Sequence, residues 1–220
     1  MAKQYVFFDM DGTLIDSMHE WMNLKYKICD AYYIRTGHKI SISEEDTEKL
    51  ETLSLKKAIS FLNKKYHAKI NYMKEAKIVL SHFYSTKVEE IEGVREFLDA
   101  LTHDGIKLSV ITATPKKLAL IALNRLDLLK YFDFILTPEF IKGGKSRKLI
   151  FYIAAALRFT KPHNCVLIDD ADYAHKTAKK VGFRTIGIYD KHRKNELKMT
   201  DKKFFSYESM LEYYRKNGKL

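Results

Sequence analysis

Five short runs rich in β-branched and aromatic residues, separated by stretches of helical pattern, constrain the fold of this chain more than any other feature. The runs are residues 5–8, 107–112, 134–137, 165–169 and 184–188, and helical patterns fill 93–103, 115–129, 146–158 and 172–181. Continuous apolar runs of this length suit strands buried on both faces. A strand that reaches the next through a helix must cross back over the sheet, which makes the strands parallel. The pattern predicts an α/β fold with a doubly wound, Rossmann-like parallel sheet as its core. Thr114 is expected to cap a helix whose first residue is Pro115, and Gly105 and Gly182 are expected to end theirs.

Residues 16–90 break the alternation. They hold helical patterns at 21–33, 44–50, 55–66 and 72–84 and no convincing buried strand. The expected organisation is therefore a catalytic core of residues 1–15 and 91–220 with an inserted all-helical cap domain of residues 16–90. The insert starts just past the first strand, at the end of a parallel sheet where ligands bind, so it would act as a lid. Residues 12–17 and 89–93 would be its two hinges.

Composition narrows the class. Apolar residues make up 46% of the 220, enough for a real core and too many for wholesale disorder. No apolar run approaches the roughly 18–20 residues of a membrane span, and acids at Asp9 and Asp11 follow too soon for a secretory signal. Cys29 and Cys165 are too far apart in sequence for a disulfide framework or a zinc site. A soluble cytoplasmic protein, monomeric or homodimeric and without a membrane partner, is expected. The net charge of +11 lies in the second half, where residues 91–220 carry 25 basic against 15 acidic side chains. Bases and acids alternate there without the clustering of a nucleic-acid footprint, so the charge is read as a general attraction for anionic substrates.

Chemistry concentrates at the strand ends. Asp9-Met10-Asp11-Gly12-Thr13-Leu14 follows the first strand, and Gly12 gives the chain freedom to turn both carboxylates into one crevice. One carboxylate can attack as a nucleophile or bind a hard cation while the other moves a proton. Thr112, with the neighbouring Ala113 amide, ends the second strand where a phosphate oxygen would be held. Asp169 and Asp170 end the fourth, and adjacent buried carboxylates imply a metal. Lys145, in the loop Lys142-Gly143-Gly144-Lys145, can neutralise a phosphoryl group.

This ordered set resembles the haloacid dehalogenase superfamily, in particular its phosphatase and β-phosphoglucomutase-like branch with a helical cap after the first motif. Asp9 to Leu14, followed by Asp16-Ser17, is similar to the first motif, Thr112 to the second, Lys145 to the third, and Asp169-Asp170 to the fourth. The third motif departs from the family in lacking its prolines, and Lys142 is a rival for the place of Lys145. The resemblance implies Asp9 as nucleophile and Asp11 as general acid and base. It places Thr112, Ala113 and Lys145 on the transferred phosphate. Mg²⁺ would be held by Asp9, Asp170 and the Asp11 carbonyl, with Asp169 supporting its water shell. The implied function is a Mg²⁺-dependent phosphomonoesterase acting on a small phosphorylated metabolite through an aspartyl-phosphate. The alternative is a phosphomutase of the β-phosphoglucomutase kind, which would need an arginine where the stretch Thr52-Leu53-Ser54-Leu55 has leucine. Asp172 is read as a helix cap, His163 and His175 as surface or packing residues, and Trp21 as packing or pocket lining.

Overall fold

The computed structural model describes residues 4–141, 143–192 and 196–220, with the side chains of 51 and 52 left out. The chain divides into two compact units, Met1–Met18 with Val88–Leu220, and His19–Lys87. In the first unit, β1 (Tyr5–Phe8), β4 (Lys107–Ile111), β5 (Phe132–Leu136), β6 (Cys165–Asp169), β7 (Arg184–Ile188) and β8 (Lys202–Phe204) form one sheet in the order β5-β4-β1-β6-β7-β8. Every neighbouring pair in it is parallel. Two-residue strands β2 (Ile15–Asp16) and β3 (Glu89–Glu90) pair antiparallel where the chain leaves and re-enters this unit. The helices of the unit are α5 (Val94–His103), α6 (Lys116–Arg125), α7 (Lys148–Leu157), α8 (Asp172–Lys179) and α9 (Tyr207–Asn217). The second unit is helical, with α1 (Met18–Thr36), α2 (Glu44–Thr52), α3 (Leu55–Lys65) and α4 (Tyr72–Thr86). The doubly wound α/β core is as the alternation predicts.

The central strand explains the two layers. Successive strand residues face opposite sides of a sheet, so Phe7 and Phe8, both fully buried, serve different cores. Phe7 packs on Phe134 and Phe183 at ring distances of 6.2 and 5.5 Å, in the cluster that α7 and α8 build with Ile150, Phe151, Ala174 and Ala178. Phe8 packs on Phe97 of α5 and on Phe132 at 6.3 and 6.0 Å. Phe132 and Phe134 reach different neighbours because the β4–β5 register shifts between Leu108 and Val110. An irregularity there breaks the period-two alternation. This is also why β5 begins two residues earlier than the sequence pattern predicts.

Three local expectations are corrected. Pro115 is the cap of α6, with extended ψ of 141°, and not its first helical residue; its carbonyl accepts from Leu118 and Ala119 N–H, and the Thr114 hydroxyl is used elsewhere. Ala171, not Asp172, caps α8. The Asp172 carboxylate accepts the N–H groups of Lys198 and Met199, tying down the approach to β8. The pattern expected through residue 129 ends at Arg125, because Asp127 takes a left-handed φ of 54°.

Phe7→Ala should lower unfolding stability by about 3–5 kcal/mol through the cavity it opens beneath α7 and α8. Urea unfolding followed by circular dichroism checks this, and a loss under about 1 kcal/mol would mean that the two faces are not packed as described.

Candidate active site

The strand order places β1 between β4 and β6, and the chain runs from β1 outward to one edge before returning to the other side. Open parallel sheets bind ligands beyond the carboxyl ends of strands at such a reversal. Asp9 follows β1 there, Thr112 follows β4, and Asp169 with Asp170 ends β6. The Asp9 N–H donates to the Ile168 carbonyl at 2.9 Å, which carries the strand pairing one residue past β1.

The sequence-predicted residues meet as one buried polar cluster. Asp9, Asp169, Asp170 and Lys145 are exposed by only 6, 0, 1 and 2%. The Lys145 ammonium lies 2.6 Å from Asp9 Oδ2 and 2.7 Å from Asp169 Oδ2. Carboxylate oxygens of Asp9, Asp169 and Asp170 come within 4.8 Å of one another. Lys145 reaches this position from a short 3₁₀ turn, Gly144–Ser146, preceded by left-handed φ values of 97° at Gly143 and 47° at Gly144. A pair of glycines makes that turn inexpensive, so the turn forms without the family's prolines. Lys142 lies outside the described residues.

Electrostatics follow from burial. Desolvation raises the Asp9 carboxyl well above the usual range; Lys145 pulls it down, while Asp169 and Asp170 push it further up. Burial disfavours the Lys145 charge, but Asp169 and Asp9 outweigh it and hold the ammonium above its ordinary pKa. Asp9 and Asp169 share the Lys145 ammonium, and Asp170 lies beside them. Three buried carboxylates whose oxygens lie this close fit a hard divalent cation. Asp169 has both oxygens engaged, Oδ2 by Lys145 and Oδ1 by the Ala171 N–H at 2.9 Å.

Asp11, two residues after Asp9, accepts from two hydroxyls. Ser17 donates to Oδ1 at 2.7 Å and Thr114 to Oδ2 at 2.6 Å. Thr112 is buried, and its Oγ1 accepts the Thr114 N–H at 3.0 Å, while Ala113 is exposed. Gly12 is required beneath: at its φ of 76°, a Cβ would stand 2.9 Å from Asp170 Oδ2 and 2.8 Å from Met18 Cγ. Tyr207 of α9 supports the same loop by donating to the Thr13 carbonyl at 2.9 Å. The sequence reading missed the Thr114 and Tyr207 contacts; the threonine's nearness to Pro115 suggested a helix cap instead. His175 is buried without a hydrogen bond to its ring among the described residues, its Nδ1 lying 4.0 Å from an Asp172 carboxylate oxygen, and His163 is exposed. Trp21 donates to the Tyr84 hydroxyl at 3.0 Å inside the helical unit. No described helix is long and apolar enough to cross a membrane.

The model of the haloacid dehalogenase-like hydrolases matches residues 6–188. A phosphorylated carbohydrates phosphatase of Thermotoga maritima is 30% identical over 188 residues, 82% of each chain. The β-phosphoglucomutase of Bacillus subtilis is 25% identical over 193 residues, covering 83% of this chain and 82% of its own. A Thermotoga maritima crystal structure described as a candidate β-phosphoglucomutase superposes with a TM-score of 0.78 at 25% identity, over 97% of this chain and 99% of that one.

Removing one partner of a buried ion pair costs about 3–5 kcal/mol. In Lys145→Ala, Asp9 and Asp169 lose their counter-charge. An acid whose folded pKa is raised opposes folding when ionised, and that opposition lifts as pH falls. The variant should therefore lose about 3–5 kcal/mol at about pH 8 and less at about pH 5 in urea titrations. Equal losses at both would contradict the ion-pair reading.

Proposed function

Because the chain belongs to the haloacid dehalogenase-like hydrolases, we propose that it is a Mg²⁺-dependent phosphomonoesterase acting on a small sugar phosphate through an aspartyl-phosphate at Asp9. The observation that carries this reading is the Lys145 ammonium set between Asp9 and Asp169, with Asp170 beside them. An anionic carboxylate can approach an anionic ester only where fixed positive charge offsets both. The relative named as a phosphorylated carbohydrates phosphatase, and another in Escherichia coli named as a 6-phosphogluconate phosphatase at 25% identity, support the substrate class.

Asp9, Asp170 and the Asp11 carbonyl would hold Mg²⁺, which when bound neutralises phosphoryl charge. Asp169, committed to Lys145 and the Ala171 N–H, orients the lysine and supports the site from behind. Lys145, the Thr112 hydroxyl and the Ala113 N–H take the phosphoryl oxygens. An Asp9 oxygen attacks phosphorus as the bond to the leaving oxygen breaks, and Asp11 gives its proton to that oxygen. Asp11 then accepts a proton from the water that attacks phosphorus. The Asp9–phosphorus bond breaks, which frees phosphate and restores the Asp9 carboxylate and the protonated Asp11 carboxyl. Ser17 and Thr114 keep the Asp11 carboxyl aimed through this exchange.

The mutase reading shares these residues and is supported by the relative of that name. Against it stands the helical unit, where Leu55 opens α3 in place of an arginine fork and the nearby Lys56 and Lys57 are exposed.

A panel of sugar phosphates with β-glucose 1-phosphate tests both. Free phosphate should appear with Mg²⁺ and stop with EDTA, and Asp9→Asn should lose at least about 10³-fold in kcat while melting within a few degrees of the wild type, the scale expected for losing a nucleophile. Isomerisation to glucose 6-phosphate with little free phosphate would select the mutase. Wild-type-like hydrolysis by Asp9→Asn would remove the nucleophile assignment.

A further inference from the structure

Tyr173 lies in the first turn of α8, three residues beyond Asp170, and neither the phosphate site nor the proton relay uses it. Helical spacing turns Ala174, His175 and Ala178 inward and leaves Tyr173 facing out, 46% exposed. Its ring centroid is 5.9 Å from the Lys145 ammonium, which is itself buried against Asp9. The ring thus borders the charged cluster at Lys145. A half-exposed aromatic ring at the rim of a buried polar site has a contact to offer.

The chemistry of that contact is selective. An aromatic face carries partial negative charge, so it does not attract a phosphoryl group. It does favour cations, which Lys145 supplies on one side, and the weakly positive C–H groups of an apolar surface. A pyranose or furanose has such a surface on the face that bears its axial hydrogens. We propose that Tyr173 is a specificity-determining residue whose ring packs on the C–H face of a sugar phosphate's leaving group while the phosphoryl group is held at Asp9 and Lys145. The inference rests on the phosphomonoesterase reading and adds to it a contact from the α/β unit itself. Burial pushes the phenol up to about 12, with Lys145 opposing and Asp9, Asp169 and Asp170 adding to the rise, so it also stays protonated through the working range.

The test compares glucose 6-phosphate with methyl phosphate, an ester that has no sugar face. In Tyr173→Ala the ratio of kcat/KM for glucose 6-phosphate to that for methyl phosphate should fall about tenfold, carried by KM, as expected for one lost stacking contact. Tyr173→Phe keeps the ring and should restore most of the ratio. The proposal is overturned if Tyr173→Ala weakens both esters equally, because the residue then serves Lys145 alone. It is also overturned if the ratio stays at the wild-type value. Wild-type turnover of methyl phosphate without glucose 6-phosphate would reject this contact and leave the phosphomonoesterase standing. Failure of the wild type on every ester with Mg²⁺ would reject the reading beneath it.

Discussion

One ammonium group organises the site: Lys145 is 2% exposed and lies 2.6 and 2.7 Å from two carboxylates of different strands. A buried charge is tolerated only when it is paired and hydrogen-bonded. That requirement dictates the glycine-rich turn that delivers the lysine and the second hydrogen bond that fixes Asp169 through the Ala171 N–H. It also requires adjacency of β1 and β6 in the sheet. Asp170 adds a third carboxylate to the same cluster. All-oxygen donors of this kind suit a hard divalent cation.

The hydrophobic layers serve that electrostatic arrangement. Phe7 and Phe8 pack in opposite directions from one strand and anchor it on both faces just before Asp9. The loop after Asp9 is clamped from below by Tyr207 and shaped by Gly12, where any side chain would press on Asp170. Asp9 and Asp11, the two proposed catalytic carboxyls, have Met10 between them and different hydrogen-bond partners. Asp9 pairs with Lys145, while Ser17 and Thr114 donate to Asp11.

Much of this was legible in the sequence because strand-end positions in a parallel sheet are fixed by chain alternation alone. Asp9, Thr112, Lys145 and Asp169 with Asp170 could each be placed at a carboxyl end, and the sheet brings the four acids and bases of the cluster together. What resisted reading had no periodic signal. β8 is Lys-Lys-Phe, an edge strand whose lysines face solvent, and β2 and β3 are two residues each. The register shift in β5 hid its alternation. Thr114 and Asp172 looked like helix caps because their residue types favour caps. Long-range partners claimed their side chains instead, the accepting Asp11 carboxylate for Thr114 and the Lys198 and Met199 N–H donors ahead of β8 for Asp172.

The central claim is that Asp9 carries the phosphoryl group. Asp11→Ala removes the base that activates water for the second step, so the intermediate should accumulate on an ester with a good leaving group. Acid-quenched p-nitrophenyl phosphate turnover with Mg²⁺, followed by peptide mass spectrometry, measures this directly. The account predicts one phosphoryl group on the peptide containing Asp9, released by hydroxylamine. Turnover without phosphorylation at Asp9, or phosphorylation at another residue, would contradict it.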